Sequence, residues 1–242
     1  MLSGKEFISD YDENSEDIER WFSIKCPQKY RRFADLLQSN GEEPTWRRIK
    51  DLYRYDKRLI FNSFRYISFL EEYLRAIVVR FEGDTEESYQ NWQEKNLSHL
   101  FKPVTELLRE EKGEAYASEF SNNLDNVRVL RNHISHNRII LELDIDTVFN
   151  SLYNVLPEQY RTGFARDIVG CVNNLEISAR WGWKSPRYVS VDLEFSTGGD
   201  KKGTPPEDRK CSIIQIGAVK VTDTQKECRQ WHVRLIPGRE YD

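Results

Sequence analysis

The chain carries one short run of polar residues whose types suit chemistry on a phosphodiester. Arg131, Asn132 and His136 fall within six residues of a 242-residue chain. An imidazole takes up or releases a proton near neutral pH, and a guanidinium can form two parallel hydrogen bonds with phosphate oxygens. These groups suit RNA cleavage without a metal ion, because the imidazole activates the ribose 2′-hydroxyl while Arg131 stabilises charge on the phosphate oxygens. The expected products carry 2′,3′-cyclic phosphate and 5′-hydroxyl ends.

The spacing of these residues predicts that the site needs two copies of the chain. Arg131 and His136 are five positions apart, about 140° around an ideal helix, whereas Asn132 and His136 share a face. Two copies related by a two-fold axis would bring two arginines and two histidines to one phosphodiester. We therefore predict a homodimer that binds RNA. Spacing alone leaves open that Arg131 and Arg138 are solvated and that His136 is a polar residue at a core edge.

Three further side chains near this run are candidates for RNA contact. Arg128 and Arg138 could hold flanking phosphates, and His133 could contact RNA directly. The alternative for the two arginines is that they are solvated surface charges, and the alternative for His133 is that it is simply exposed. The 36 Lys and Arg residues stand against 40 Asp and Glu, a formal charge of −4, so any RNA surface must be local.

A second pair of side chains suits metal binding. Asp192 and Glu194 alternate with apolar residues in a predicted strand, so both carboxylates project from one face. Mg²⁺ or Mn²⁺ would offset the repulsion between them. An isolated Asp-x-Glu pattern is also commonly structural, or its carboxylates are simply solvated.

The pattern along the chain predicts two units. From residue 17 to about residue 179, Gly and Pro are sparse and apolar residues recur at helical spacing, whereas short β-branched runs follow residue 183. We predict a mainly α fold, in which a bundle of about five or six helices precedes a small antiparallel β-meander. The predicted parts are an acidic N-terminal segment at 1–19, a helical domain at 20–180, a linker at 181–187 and a β-rich unit at 188–242.

Two predicted helical regions position the polar run. Residues 45–57 and 58–81 favour two helices or one interrupted helix at the centre of the core, and a further helix begins near residues 121–125 and carries the run. The apolar face expected of the central helix consists of Leu59, Phe61, Phe64, Ile67, Phe69, Leu70, Leu74, Ile77 and Val78.

At the polar run the sequence resembles the HEPN superfamily, whose motif is Arg, usually a polar residue, three to five others, then His. Arg131, Asn132 and His136 occupy those places. Residues 49–59 (IKDLYRYDKRL) and 69–75 (FLEEYLR) are similar to the Abi-like (AbiD/AbiF) proteins of bacterial abortive infection, in which an aromatic-Asp-Lys-Arg-Leu segment precedes a Glu-x-x-x-Arg helix. The similarity covers roughly residues 20–180. It implies a HEPN-type helical bundle, RNA cleavage by a dimer without a cofactor, and a role in phage defence.

Glu71 and Arg75 match the Glu-x-x-x-Arg positions of that family. A Glu and an Arg four positions apart on a helix commonly form a surface ion pair worth about a few tenths of a kcal/mol. The alternative is that Glu71 orients a side chain of the Arg-His run from behind.

The carboxyl-terminal stretch carries a different resemblance. Residues 189–198 (VSVDLEFSTG) and 212–219 (SIIQIGAV) are similar to the first motif of DnaQ-like DEDD 3′-5′ exonucleases, which have an RNase H-like fold. Asp192 and Glu194 match that family's first two metal-binding acids, and residues 235–239 (LIPGR) match the end of its opening meander. The remaining acids of that family would lie beyond Asp242. We therefore expect an incomplete Mg or Mn site without exonuclease activity.

Three functions stay open at this point. The favoured one is a metal-independent endoribonuclease acting in phage defence or as a toxin, with single-stranded RNA as the expected substrate. The second is a non-cleaving protein that binds a structured RNA or an antitoxin, and the least favoured is a Mg-dependent exonuclease. The chain shows neither a secretion signal nor an apolar run of about 18 residues, which predicts a cytoplasmic protein without membrane contact. The four cysteines are scattered and predicted to be reduced.

Overall fold

The computed structural model describes residues 4–184 with their side chains, and beyond them the backbone of residues 188–197, 211–221 and 229–234. The chain divides into two compact units, Met1–Trp183 and Lys184–Asp242.

The described part of the first unit is built from eight α-helices, and helices with their short 3-10 turns make up 78% of residues 4–184. The helices are α1 (Tyr11–Phe22), α2 (Pro27–Ser39), α3 (Trp46–Phe81), α4 (Glu86–Gln93), α5 (Leu97–Lys112), α6 (Glu114–Ser135), α7 (Ile145–Val155) and α8 (Glu158–Val169). None of these helices combines the length and the apolar composition that a bilayer crossing requires.

The central element is α3, which packs against α1, α2, α4, α5, α6 and α8. The side chain of Thr45 caps its first turn by accepting the N–H of Arg48 at 3.4 Å. The 36 residues of α3 contain no Gly or Pro, so nothing interrupts its hydrogen-bond ladder over about 54 Å. The two predicted segments, 45–57 and 58–81, therefore form one continuous helix.

The inner face of α3 differs from the predicted apolar face at two positions. Phe61 and Phe64 are 75% and 58% exposed, while Leu59 and Leu70 are fully buried. The reason is helical phase: Phe61 lies about 200° around the helix from Leu59, on the opposite side. The apolar character of these two side chains predicted burial, but their angular positions around the helix place them away from the core.

The polar run identified in the sequence lies at the end of α6. Gly113, at a φ of 89°, separates α5 from α6, and the backbone conformation there is one that favours glycine. The start of α6 is Glu114, earlier than the predicted 121–125, because residues 115–120 join the same helix. Leu124, Val127 and Leu130 bury one face of α6, which packs against α5 and α7.

Both ends of the first unit pack into its core. In the stretch expected as an acidic segment, Phe7 and Ile18 are buried, and the carboxylate of Asp17 accepts hydrogen bonds from Trp46 Nε1 at 2.6 Å and Lys50 Nζ at 2.7 Å. The hydrogen bonds from Lys50 and Trp46 lower the pKa of Asp17 to about 2. The unit therefore begins well before residue 20.

At the other end, Trp181 and Trp183 stand in the stretch expected as a linker, yet both are buried. The hydroxyl of Tyr55 donates to the backbone oxygen of Trp181 at 3.1 Å. The ring of Trp183 packs on Phe149 and Phe164, with centroid distances of 5.9 and 5.4 Å. These rings extend the helical core up to residue 183.

In the second unit, three backbone segments are extended. β1 (Tyr188–Thr197), β2 (Cys211–Val221) and β3 (Arg229–Arg234) pair antiparallel in the order β1-β2-β3. Asp192 and Glu194 lie on β1, opposite Gly217 and Gln215 of β2. The side chains of this unit lie outside the described residues.

The fold class predicted from the sequence needs correction. Residues 4–184 contain no strand or sheet. The part of the chain whose side chains are described is therefore all-α, and the predicted β-meander is not seen in it. The α-helical part of the prediction fits. The physical reason is that β-branched runs favour an extended backbone, whereas a fold class is defined by layers whose side chains pack together. Among the residues whose side chains are described, such packing is formed only by the helices.

The burial of Trp183 leads to a test of where the helical unit ends. Replacing Trp183 with Ala removes a buried ring from the core and should lower the free energy of unfolding by about 3–5 kcal/mol. Urea unfolding followed by helical circular dichroism measures this loss. The control is Phe81→Ala, because Phe81 is 65% exposed and should cost less than about 0.5 kcal/mol. Equal losses in the two variants would contradict the packing described here.

Candidate functional site

The end of α6 places His136 just beyond the last helical residue. Asn137 has a φ of 51°, a left-handed conformation that Asn tolerates better than most residues. Its N–H donates to the backbone oxygen of Ile134 at 3.0 Å, and the N–H of Arg138 donates to that of His133 at 2.8 Å. This pair of bonds is the Schellman motif, which satisfies the last carbonyl groups of a helix. We call residues 131–136 the Arg-His motif and residues 137–141 the post-motif loop.

Arg131 faces the central helix. Its Nε lies 3.8 Å from Oε1 of Glu71 on α3, and the two side chains are 39% and 27% exposed. A half-exposed ion pair of this length contributes about 0–1 kcal/mol to stability. At 3.8 Å the two atoms are beyond hydrogen-bond distance, so the contact is electrostatic, and an orienting role for Glu71 stays a prediction.

Arg75, the other residue of the Glu-x-x-x-Arg pattern, has a different set of partners. Its Nε donates to the backbone oxygen of Trp92 at 2.9 Å, and its Nη2 donates to that of Lys95 at 3.4 Å. Arg75 therefore ties α3 to the last turn of α4 and to the segment between α4 and α5. Glu71 and Arg75 both line an open cleft of about 600 Å³ beside α4, so Arg131 reaches a residue of the cleft wall.

Asn132 and His136 point away from the core. Both are exposed, whereas Leu130 and Ile134 on the same helix are buried. Within the described part of the chain, neither a hydrogen bond nor an ion pair joins Arg131 to His136. One copy of the chain thus presents the guanidinium toward α3 and the imidazole toward solvent, as the spacing of about 140° predicts.

The other sequence-predicted contact residues lie around the same helix end. Arg128 pairs with Asp125 at 2.9 Å on its own helix. His133 is half-buried, and its Nδ1 lies 3.4 Å from the backbone oxygen of Ile139. Arg138 is exposed. Of these three residues, Arg138 has the side chain most open to a ligand, while the charge of Arg128 is partly balanced by its neighbour.

The structure shows three positioning residues that the sequence analysis did not single out. The buried Oδ1 of Asp56 accepts the N–H groups of Ile140 at 2.8 Å and of Leu141 at 3.4 Å. Lys57 donates to Oδ1 of Asn137, and Lys29 donates to the backbone oxygen of Asn137 at 2.8 Å. Residues 55–59, one of the stretches that carry the resemblance, therefore hold the loop that directly follows the Arg-His motif.

A sequence signal for Asp56 did exist. Asp56 lies four positions after Leu52 and three before Leu59 on the inner stripe of α3, and these leucines are 1% and 0% exposed. A carboxylate at a core position of a helix needs buried donors. The pattern could have predicted those donors, but not that they are backbone groups more than 80 residues away along the chain.

Burial controls the electrostatics of Asp56. It raises the pKa of this carboxyl to about 6, although the N–H groups of Ile140 and Leu141 and the charges of Lys57 and Lys29 all act to lower it. The second oxygen, Oδ2, is buried without a hydrogen-bond partner, which is consistent with poor solvation of the ionised form. Burial and the neighbouring Lys29 in turn lower the pKa of Lys57.

The predicted metal ligands lie elsewhere in the chain. Asp192 and Glu194 belong to β1, and their side chains lie outside the described residues. Within residues 4–184, no three His, Cys, Asp or Glu side chains come close enough to hold a metal ion together. The Mg or Mn site therefore stays a prediction from the sequence.

Because the pKa of Asp56 is raised, the contribution of this carboxyl to the free energy of unfolding should fall as the pH rises. Because the carboxyl binds its proton more tightly in the folded state, its contribution is fully present below about pH 4 and is lost as the pH rises through about 6. At about 1.4 kcal/mol per pKa unit, the change amounts to about 3 kcal/mol. In Asp56→Asn, which keeps an acceptor but does not titrate at this position, this component should vanish.

The measurement is the difference in unfolding free energy between the wild type and Asp56→Asn, determined by urea titration from pH 4 to pH 7. The wild type should lose about 3 kcal/mol relative to the variant across this range. A difference that stays constant would show that folding leaves the pKa of Asp56 unchanged, and one that grows in favour of the wild type as the pH rises would show that the carboxylate is stabilised as an anion; either result would contradict the prediction.

No family model matches the chain, and neither a curated protein nor a solved structure matches it. The Arg-His motif and the Tyr55 to Leu59 segment are thus interpreted through the contacts of this chain itself, and the HEPN and Abi-like resemblance stays a resemblance.

Proposed function

We propose that the chain is a metal-independent endoribonuclease of the HEPN type, acting in phage defence or as a toxin, whose active site forms between two copies of the chain. The observation that carries this proposal is the pairing of Glu71 with Arg131. Glu71 belongs to one of the stretches that resemble the Abi-like proteins, and Arg131 is the first residue of the stretch that resembles the HEPN motif. Two stretches that are 60 residues apart in sequence thus meet at the side chain on which phosphate chemistry would depend.

The proposed reaction is an in-line attack of a ribose 2′-oxygen on the adjacent phosphorus. The exposed imidazole of His136 accepts the 2′-hydroxyl proton, and the bond from phosphorus to the 5′-oxygen of the next nucleotide breaks. The leaving oxygen takes a proton from the second His136 or from water. Arg131, held by Glu71, binds the non-bridging oxygens, where negative charge increases in the transition state. The residues needed for these steps are all present without a cofactor.

The exposed aromatic side chains of α3 support association of two copies. Phe61 and Phe64 are 75% and 58% exposed, and their helical phase places them on the same side of α3 as Glu71, within about 80°. Burying a Phe side chain contributes about 1.5–3 kcal/mol. A second copy packed on this side would cover both rings and bring two copies of the Glu71–Arg131 pair near each other.

The first test is cleavage by variants of the motif. His136→Ala should reduce the rate of RNA cleavage by about a hundredfold or more, because the general base is removed. Arg131→Ala should lose about 10²- to 10³-fold through weaker transition-state stabilisation. The measurement is single-turnover cleavage of a labelled single-stranded RNA, together with growth of cells expressing each variant, in which toxicity should disappear.

Matched controls for these variants are His99→Ala and Arg166→Ala, both exposed residues on other helices. They should cleave RNA like the wild type. Folding of every variant is checked by circular dichroism. Undiminished cleavage by His136→Ala would refute the mechanism, and tight binding of intact RNA by the wild type would favour the alternative of a non-cleaving RNA-binding protein.

The second test concerns the dimer. The double variant Phe61→Ser/Phe64→Ser should raise the dimer dissociation constant by at least about a hundredfold, because four apolar rings leave the interface. Sedimentation velocity and native mass spectrometry measure the species present, and RNA cleavage should fall in parallel. Phe81→Ser is the matched control, since Phe81 is exposed but is the last residue of α3, about 25 Å along the helix from Phe64. A monomeric wild type, or an unchanged dimer in the double variant, would contradict this arrangement.

A further inference from the structure

Two lysines from different helices meet at the turn that follows the Arg-His motif. Lys29 lies in the first turn of α2, and Lys57 lies in the middle of α3. Both donate to Asn137, Lys29 to its backbone oxygen at 2.8 Å and Lys57 to its side-chain oxygen. Asn137 directly follows His136. The two ammonium groups, which we call the lysine pair, are thus fixed one residue away from the proposed general base.

The lysine pair is not neutralised by a surface carboxylate. Among the described ion pairs, neither Lys29 nor Lys57 has an acidic partner within 4 Å. The acid that influences both lysines is Asp56, which is completely buried and whose Oδ1 is engaged by the backbone of the post-motif loop. Two like charges held side by side at a half-buried position repel each other, and an anion bound between them would relieve this repulsion.

Other features around the lysine pair also favour an anion. The first turn of α2 contains no acidic residue, and the backbone dipoles at that end of a helix are positive. The side chain of Arg138, next to Asn137, is exposed. Burial is the largest cause of the lowered pKa of Lys57, and the neighbouring Lys29 lowers it further through the same repulsion. The local charge is therefore positive in a chain whose net charge is −4.

We propose that Lys29 and Lys57 form a subsite for a backbone phosphate of RNA, adjacent to the phosphodiester that Arg131 and His136 act on. This inference rests on the proposed function, because it assigns the lysine pair to the same substrate. Each ammonium group contributes charge and hydrogen bonds to the phosphate oxygens, and Asn137 sets the separation of the pair from His136. The subsite fixes the position of the strand along the site without reading its bases.

The experiment measures binding of a fully 2′-O-methylated single-stranded RNA, which cannot be cleaved by 2′-oxygen attack. Fluorescence anisotropy at several NaCl concentrations gives the dissociation constant and its salt dependence. Lys29→Gln and Lys57→Gln should each weaken binding about fivefold and reduce the slope of log K against log salt by about 0.7. Wild-type affinity and slope in the double variant would overturn the proposal.

Three controls separate phosphate binding from support of the loop. Lys57→Arg keeps the charge and should retain the salt slope. Asn137→Gly keeps the left-handed turn but removes the side-chain acceptor of Lys57, and it should also retain the slope; if it weakened binding as much as the double lysine variant, the lysines would act only through the turn. Lys102→Gln, on α5 beside Glu106, should leave binding unchanged.

The source of the anion is tested in competition. If the subsite binds the RNA backbone, inorganic phosphate at millimolar concentration should displace the RNA only weakly. Loss of phosphate binding in Lys57→Gln with RNA binding intact would assign the site to a free anion and overturn the proposal. Cleavage of the unmethylated RNA is measured in parallel. If no cleavage occurs but the lysine variants still lose affinity for the methylated RNA, the proposed function fails while the subsite stands.

Discussion

The arrangement of the candidate site depends on two polar contacts that one long helix makes with the end of α6. Asp56 and Glu71 lie 15 residues apart on α3, about 22 Å along a straight helix. Glu71 contacts Arg131 at the start of the Arg-His motif, and Asp56 holds Ile140 and Leu141 beyond its end. Because α3 is uninterrupted, the positions of these two contacts are fixed relative to each other, and the motif is held between them.

The two contacts differ in physical character. Glu71 and Arg131 are both partly exposed, so their attraction is screened by solvent and its contribution to stability is small. Asp56 is completely buried, and its carboxylate is poorly solvated, so the ionised form reduces stability near neutral pH. A core Leu at this position would avoid that cost but would leave the N–H groups of the post-motif loop without an acceptor. The cost is understandable if the loop must keep one conformation for Asn137 and the lysine pair.

The sequence predicts the helical character of residues 17–179 and that the motif lies on a helix, because both depend on local pattern. It does not predict that Asp56 and Lys57 reach residues 137–141, since such contacts are non-local and leave no mark in the spacing. Apolar composition misplaces Phe61 and Phe64, whose helical phase exposes them. The sequence does not predict the burial of four apolar residues, because they stand in acidic or Gly-rich surroundings. These residues are Phe7, Ile18, Trp181 and Trp183. A β-branched pattern predicts extended backbone after residue 187, but it does not establish a packed layer.

The central claim is that RNA is cut by attack of its own 2′-oxygen in a site that needs no metal. Its most direct test is chemical analysis of the RNA ends produced by purified protein in the presence of excess EDTA, with a second RNA carrying a single 2′-deoxy nucleotide at the main cleavage position. We expect 2′,3′-cyclic phosphate and 5′-hydroxyl ends and no cut at the deoxy position. Products with 3′-hydroxyl ends, or cleavage abolished by EDTA, would contradict it.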